Sequence, residues 1–165
     1  MGNIYLIGMS GCGKTTVGKM LAERMGKEFV DTDQLIEVDA KASIAEIFSL
    51  HGEETFRDME TFVLQKLADS ENHKIVSCGG GMPLRAGNNT MMHASGTIVY
   101  IERDVKNILA CIDTGTRPLI NADASNVLQL YEKRRPVYEK TADIKVSNNQ
   151  SIVETVNEIL FQLGQ

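Results

Sequence analysis

Residues 8–15, Gly8-Met9-Ser10-Gly11-Cys12-Gly13-Lys14-Thr15, are the stretch of this chain best equipped for chemistry. The spacing is Gly, four residues, Gly, Lys, Thr, a pattern suited to a bound polyphosphate. Glycines let a backbone wrap closely and turn successive amide N–H groups toward one anion. A helix opening near Gly13 adds its unsatisfied N–H groups and the positive end of its dipole. Lys14 can reach the β- and γ-phosphates of a nucleoside triphosphate, and the Thr15 hydroxyl can ligate Mg²⁺. Gly11, Cys12, Gly13 and Thr16 complete the expected phosphate contacts. The alternative, an ordinary glycine-rich turn before a capped helix, requires strand, loop, Lys-Thr pair and helix to coincide.

The elements that would hold this loop are legible on both sides. Ile4-Tyr5-Leu6-Ile7 is a short apolar run of β type, and Val17, Met20, Leu21 and Met25 recur at helical spacing after it. Further strands are expected at 27–30, 75–78, 97–101 and 144–146, separated by helical segments. Ser43 with Glu46 reads as a capping box, Gly52 as a helix break, and Ser151 as the cap of a terminal amphipathic helix. Strands alternating with helices predict an α/β protein with a parallel sheet covered on both faces. The strand C-terminal ends then share one rim, where ligands bind. The glycine loop, Asp31-Thr32-Asp33 and Gly79-Gly80-Gly81 all fall there. The 75–78 strand ends in glycines without a carboxylate, so Asp31 is expected toward Mg²⁺ and Asp33 toward an acceptor hydroxyl. For either aspartate the alternative is capping of a helix that starts near Gln34.

The bulk properties bound the function. A chain of 165 residues, 42% hydrophobic and 24% charged, suits one soluble domain with a real core. At a net charge of −5, with scattered lysines and arginines, a broad nucleic-acid-binding face is not expected. No apolar run is long enough to span a bilayer, and the N-terminus enters a strand directly, so neither a membrane anchor nor a signal peptide is expected. Cys12, Cys78 and Cys111 show no CxxC spacing and His51, His73 and His93 are far apart, which gives a zinc site no support. A reducing cytoplasm fits this cysteine usage. Cys12, beside Lys14, is either an acidified thiol or a small residue that fits the loop, and the second reading is preferred.

Taken together, these residues resemble the shikimate kinase family. The resemblance rests on Gly8 to Thr15, Phe29-Val30-Asp31-Thr32-Asp33 with Ile36-Glu37, Phe56-Arg57 with Glu60, Gly79-Gly80-Gly81, Arg117-Pro118-Leu119 and Arg134-Arg135-Pro136-Val137-Tyr138. It implies a three-layer α/β/α P-loop nucleoside-kinase-like fold with a five-stranded parallel sheet. It also implies a single domain over residues 1–165, with a lid at about 111–125 and substrate-binding helices at about 33–62. The implied reaction moves the γ-phosphoryl group of ATP, with Mg²⁺, to the 3-hydroxyl of shikimate, on the route to chorismate and the aromatic amino acids. A monomeric cytoplasmic enzyme is expected.

By the same resemblance Lys14, Asp33 and Arg117 are catalytic, and Asp33, Arg57, Gly79, Gly80, Gly81 and Arg134 bind shikimate. Thr15 and Asp31 serve the metal, and Arg117 and Gln150 join the loop at the nucleotide. The assignment suits the substrate, because arginine's planar fork matches a ring carboxylate. Arg57 has a blander alternative in pairing with Glu53, Asp58 or Glu60 on its own helix, and Arg134 with Arg135 could form a solvated face. The sequence departs from the family at Leu109-Ala110-Cys111-Ile112-Asp113, where a base that packs on adenine is often found. Asn148, Asn149 and Gln150 are the remaining candidates for the adenine edge. Two rival readings stand beside this one: a gluconate-kinase-like enzyme, and a non-catalytic nucleotide-binding module.

Overall fold

The apolar run that precedes the glycine loop forms the middle of the sheet. In the computed structural model of the protein, which describes residues 2–111 and 124–165, this strand, β1 (Asn3–Ile7), is buried along its whole length. Its side chains alternate between two cores: Tyr5 and Ile7 join one, Ile4 and Leu6 the other. A strand buried on both faces reads as an unbroken apolar run because its period of two feeds both layers.

The other strands are β2 (Phe29–Asp31), β3 (Ile75–Ser77), β4 (Gly96–Glu102) and β5 (Ile144–Ser147). Their order is β2-β3-β1-β4-β5, and every pairing is parallel. The chain thus goes from β1 to the edge strand β2, returns to β3 beside β1, and then crosses to the other side between β3 and β4. In such sheets a crevice opens at the strand C-termini where the direction reverses, and that is where ligands bind.

The helices are α1 (Lys14–Met25), α2 (Thr32–Ala40), α3 (Ile44–Ala68), α4 (Ala86–Ser95), α5 (Val105–Cys111), α6 (Ala124–Thr141) and α7 (Ile152–Gln162). Val17 and Leu21 of α1 and Val156 and Ile159 of α7 close the core on one face. Ile36, Val63, Met92 and Tyr138, from α2, α3, α4 and α6, close the other. The result is the three-layer arrangement expected from the alternation of elements.

Local signals account for most boundaries. Both capping boxes form, Ser43 with Glu46 and Ser151 with Glu154. Gly52, at φ 80° and ψ 172°, interrupts α3 where a break is expected. Two boundaries differ from the expected ones. The second strand begins at Phe29 rather than Lys27, and α2 begins at Thr32 rather than near Gln34, because Asp31 is its cap. Helix α4 has no apolar stripe to announce it: only Asn88 and Met92 are buried. Polar contacts hold it instead, with Asn88 Nδ2 donating to the Met82 carbonyl and Thr61 Oγ1 donating to Asn88 Oδ1. The expected lid at about 111–125, with Arg117, lies outside the described residues except at its ends.

Candidate active site

The loop between β1 and α1 forms one wall of a cavity of about 250 Å³ at the strand C-termini. Gly13 is the N-cap residue of α1, at φ 100°. An L side chain is strained at that angle, and a β-carbon there would also collide with the Asn148 amide. The loop is held by side chains as well as by its own turn. Asn148, buried after β5, donates from Nδ2 to the Cys12 carbonyl at 2.8 Å and accepts from Thr155 Oγ1 at 2.9 Å. Lys14 is 9% exposed, and its ammonium donates to the carbonyls of Gly8 (2.8 Å) and Met9 (3.0 Å). Cys12 is wholly buried with Ile4, Leu6 and Val17, so its side chain acts as a small core residue.

Thr15, Thr16, Asp31 and Asp33 line the same cavity. Asp31 does two things at once. Its Oδ1 accepts from the Asp33 and Gln34 amides, capping α2. Its Oδ2 accepts from Thr15 Oγ1 at 3.4 Å. Capping therefore does not remove Asp31 from the site but orients it. A hydroxyl and a carboxylate oxygen side by side suit a hard cation such as Mg²⁺, which takes few protein oxygens and completes its octahedron with phosphate and water. Among the described residues no group of three or more His, Cys, Asp or Glu side chains could hold a metal without such help. Asp33 lies in the first turn of α2, facing the backbone of Gly79. A β-carbon at Gly79 would meet Glu60 Oε1 at 2.5 Å and Asp33 Oδ1 at 2.8 Å. Thr32 Oγ1 accepts from the Gly79 amide at 2.9 Å and fixes that approach.

Beyond Gly80 stand two buried arginines, next to the cavity rather than on its wall. Arg134 is 5% exposed, with Nη1 close to Gly80, whose carbonyl accepts from Tyr138 at 2.6 Å. Arg57 packs so tightly on Gly81 that a β-carbon there would overlap its guanidinium. Arg57 pairs with Glu60 at 2.7 Å and Glu53 at 3.1 Å, while Asp58 pairs with Arg85 instead. The pairing considered as the alternative thus exists. It is not a solvated one, since Arg57 and Glu60 are both buried. Arg135, by contrast, is half-exposed and pairs with Glu102 and Glu139 on the surface.

Glu60 is the titrating member of this group. Burial pushes its carboxyl up to about 7, with the Arg57 guanidinium pulling the other way and Asp33 adding to the rise. A carboxyl whose value is raised on folding holds its proton more tightly in the native state. Its contribution to stability is full below about 4.5 and is lost as pH rises through about 7. Glu60→Gln, which keeps the neutral form, is therefore expected to melt close to wild type below pH 5 and above it at pH 8. Parallel melting curves at all pH values would refute this.

Gln150 is exposed and not on the cavity wall. Asn149 is committed to the loop after β4, accepting from the Asp104 amide at 2.8 Å. Arg103 is the cavity residue that the sequence reading missed. Its signal was a basic residue directly after an apolar strand of a parallel sheet, at the ligand rim.

The parallel sheet, the glycine loop under a helix N-terminus and the facing aspartates define a P-loop phosphotransferase. Residues 10–163 match the family model for shikimate kinase. The shikimate kinase of Persephonella marina is 39% identical over 99% of both chains. A structure of shikimate kinase from Acinetobacter baumannii in complex with shikimate superposes with a TM-score of 0.93, at 34% identity, over 99% of this chain and 93% of that one. The Aquifex aeolicus shikimate kinase gives 0.86 at 37% identity, over 98% and 96%. The chain belongs to the shikimate kinase family.

Proposed function

We infer that this chain transfers the γ-phosphoryl group of ATP to the 3-hydroxyl of shikimate, giving shikimate 3-phosphate and ADP, in aromatic amino acid biosynthesis. The observation that carries the reading is the order of groups along one crevice. The phosphate loop forms one wall, Asp33 faces it across Gly79, and two buried arginines lie beyond Gly80. That order suits a phosphoryl donor at the loop, an acceptor hydroxyl at Asp33 and a ring carboxylate at the arginines.

Lys14 leaves the Gly8 and Met9 carbonyls and pairs with the β- and γ-phosphates, and the α1 amides hold the rest of the chain. Thr15 and Asp31 would hold Mg²⁺, which neutralises phosphate charge when bound. Asp33 accepts the hydrogen bond of the hydroxyl to be phosphorylated and takes its proton late, since the transition state is loose and positioning dominates. Arg57 and Arg134 take the ring carboxylate, while Gly79, Gly80 and Gly81 let the ring come close to the backbone. Arg117, carried by a lid over about 111–125, neutralises the moving phosphoryl group and excludes water. Gln150, exposed and off the wall of the phosphate cavity, is the candidate for the adenine edge. The enzyme works as a cytoplasmic monomer, which suits its three free cysteines.

A phosphorylation assay with shikimate, gluconate and nucleoside monophosphates as acceptors tests the reading. Turnover with shikimate alone is expected. Turnover only with gluconate or a nucleotide would transfer the assignment to another small-molecule kinase, and none with any acceptor would leave a nucleotide-binding module. Asp33→Asn should lower kcat by about 10²-fold or more while ATP affinity changes little, because it touches the acceptor. An effect confined to ATP affinity would contradict its role.

A further inference from the structure

Among the described residues Arg103 and Arg134 share an unusual property: each guanidinium is at least half-buried at the crevice, and neither forms an ion pair. Arg57, Arg85 and Arg135 all have carboxylate partners. Arg134 stands at the acceptor end, and Arg103 at the opposite end, on the wall that carries the glycine loop. Arg103 follows β4 directly. Its position is fixed because the next residue, Asp104, is bound through its amide to Asn149. Its Nη1 donates to the Gly11 carbonyl at 3.0 Å and reaches Cys111 Sγ at 3.4 Å. Its Nε is buried with no acceptor among the described residues.

Charge on the described wall of the cavity is balanced. Lys14 and Arg103 are its cations, and Asp31 and Asp33 its carboxylates. A polyphosphate entering there brings several negative charges, and the Lys14 ammonium is partly occupied by loop carbonyls. An arginine without a carboxylate, lining a phosphate cavity and tethered by one nitrogen, has donors left for an anion. We propose that Arg103 contacts the phosphate chain of the bound nucleotide, donating to its oxygens while Nη1 holds Gly11 in place. The proposal rests on the nucleotide reading of this cavity. It also supplies, from the end of β4, a cation that the segment 109–113 lacks.

The test compares wild type, Arg103→Gln, Arg103→Ala and Arg103→Lys by calorimetric titration with ADP and with inorganic pyrophosphate, which has no base or ribose. Gln and Ala should weaken both ligands by about ten-fold or more, and Lys should restore part of the loss. Unchanged affinity for both ligands would overturn the proposal. So would a loss for ADP with pyrophosphate unaffected, which would place Arg103 at the base. Wild-type protein that binds neither ligand would defeat the nucleotide reading itself, a separate result. Thiol labelling gives a second readout in the folded protein. Cys111 is the exposed cysteine, and Cys12 and Cys78 are buried. ADP should slow alkylation of Cys111 in wild type, and at the same ADP concentration Arg103→Gln should lose most of that protection. Equal protection in the two proteins would overturn the proposal.

Discussion

Lys14→Ala should lower the turnover of phosphoryl transfer by on the order of 10²–10³-fold, the loss that follows removal of one preorganised charge-stabilising donor. The reason is positional. The ammonium is nearly buried, at 9% exposure, beside the loop amides, where water cannot stand in for it. In the ligand-free protein it also satisfies the Gly8 and Met9 carbonyls, so the substitution touches the loop's conformation as well as its charge. Lys14→Met keeps the apolar stem and isolates the charge. Steady-state kcat for both variants, with melting temperatures as a control for folding, decides the matter. A kcat near wild type in a folded variant would remove Lys14 from the reaction.

Arg57→Ala should have the second large effect, in two separable parts. Shikimate affinity should fall about 10- to 100-fold, since each hydrogen bond to a charged group contributes about 1.5–3 kcal/mol. Stability should also fall, because Glu60 loses the cation that offsets its burial. The two parts differ in pH dependence. Burial already favours the neutral form of Glu60, and without Arg57 its carboxyl rises further. The stability deficit should therefore be small near pH 5 and should grow as pH rises through about 7 and beyond, while the loss of affinity persists throughout. Arg57→Ala combined with Glu60→Gln should recover stability at pH 8 and leave shikimate binding weak. Calorimetry showing unchanged shikimate affinity would rule out Arg57 as a ligand of the ring carboxylate.

Particular residues show how far the fold could be read in advance. β1 and α1 were legible because an apolar run and a 3.6-residue stripe flank a glycine loop, and each signal is local. The capping boxes at Ser43 and Ser151 were legible for the same reason. Helix α4 was not, because what holds it is Asn88 reaching Met82 and Thr61, contacts that no periodicity encodes. The start of α2 was misplaced by two residues because Asp31 serves strand, cap and site together.

The site divides along the same line. Lys14, Thr15 and Asp33 could be picked out as candidates from residue type and position, and Arg57 and Arg134 from the resemblance of their motifs to the family's. Glu60 could be named from its motif, but not as a carboxyl pushed up to about 7, because that depends on burial and on the neighbouring Asp33. Asn148, one of three candidates for the adenine edge, also braces the loop under Cys12, across 136 positions of chain. Arg103 carried only a weak signal, a basic residue after an apolar strand, until the sheet order brought the end of β4 beside the glycine loop. By itself, then, the amino-acid sequence determined most of the elements and the chemical groups this protein can use, because periodicity, capping and side-chain chemistry act over a few residues. Which groups meet, which are desolvated and which merely brace the loop was decided only by the tertiary structure, because strand order and burial depend on contacts between distant parts of the chain.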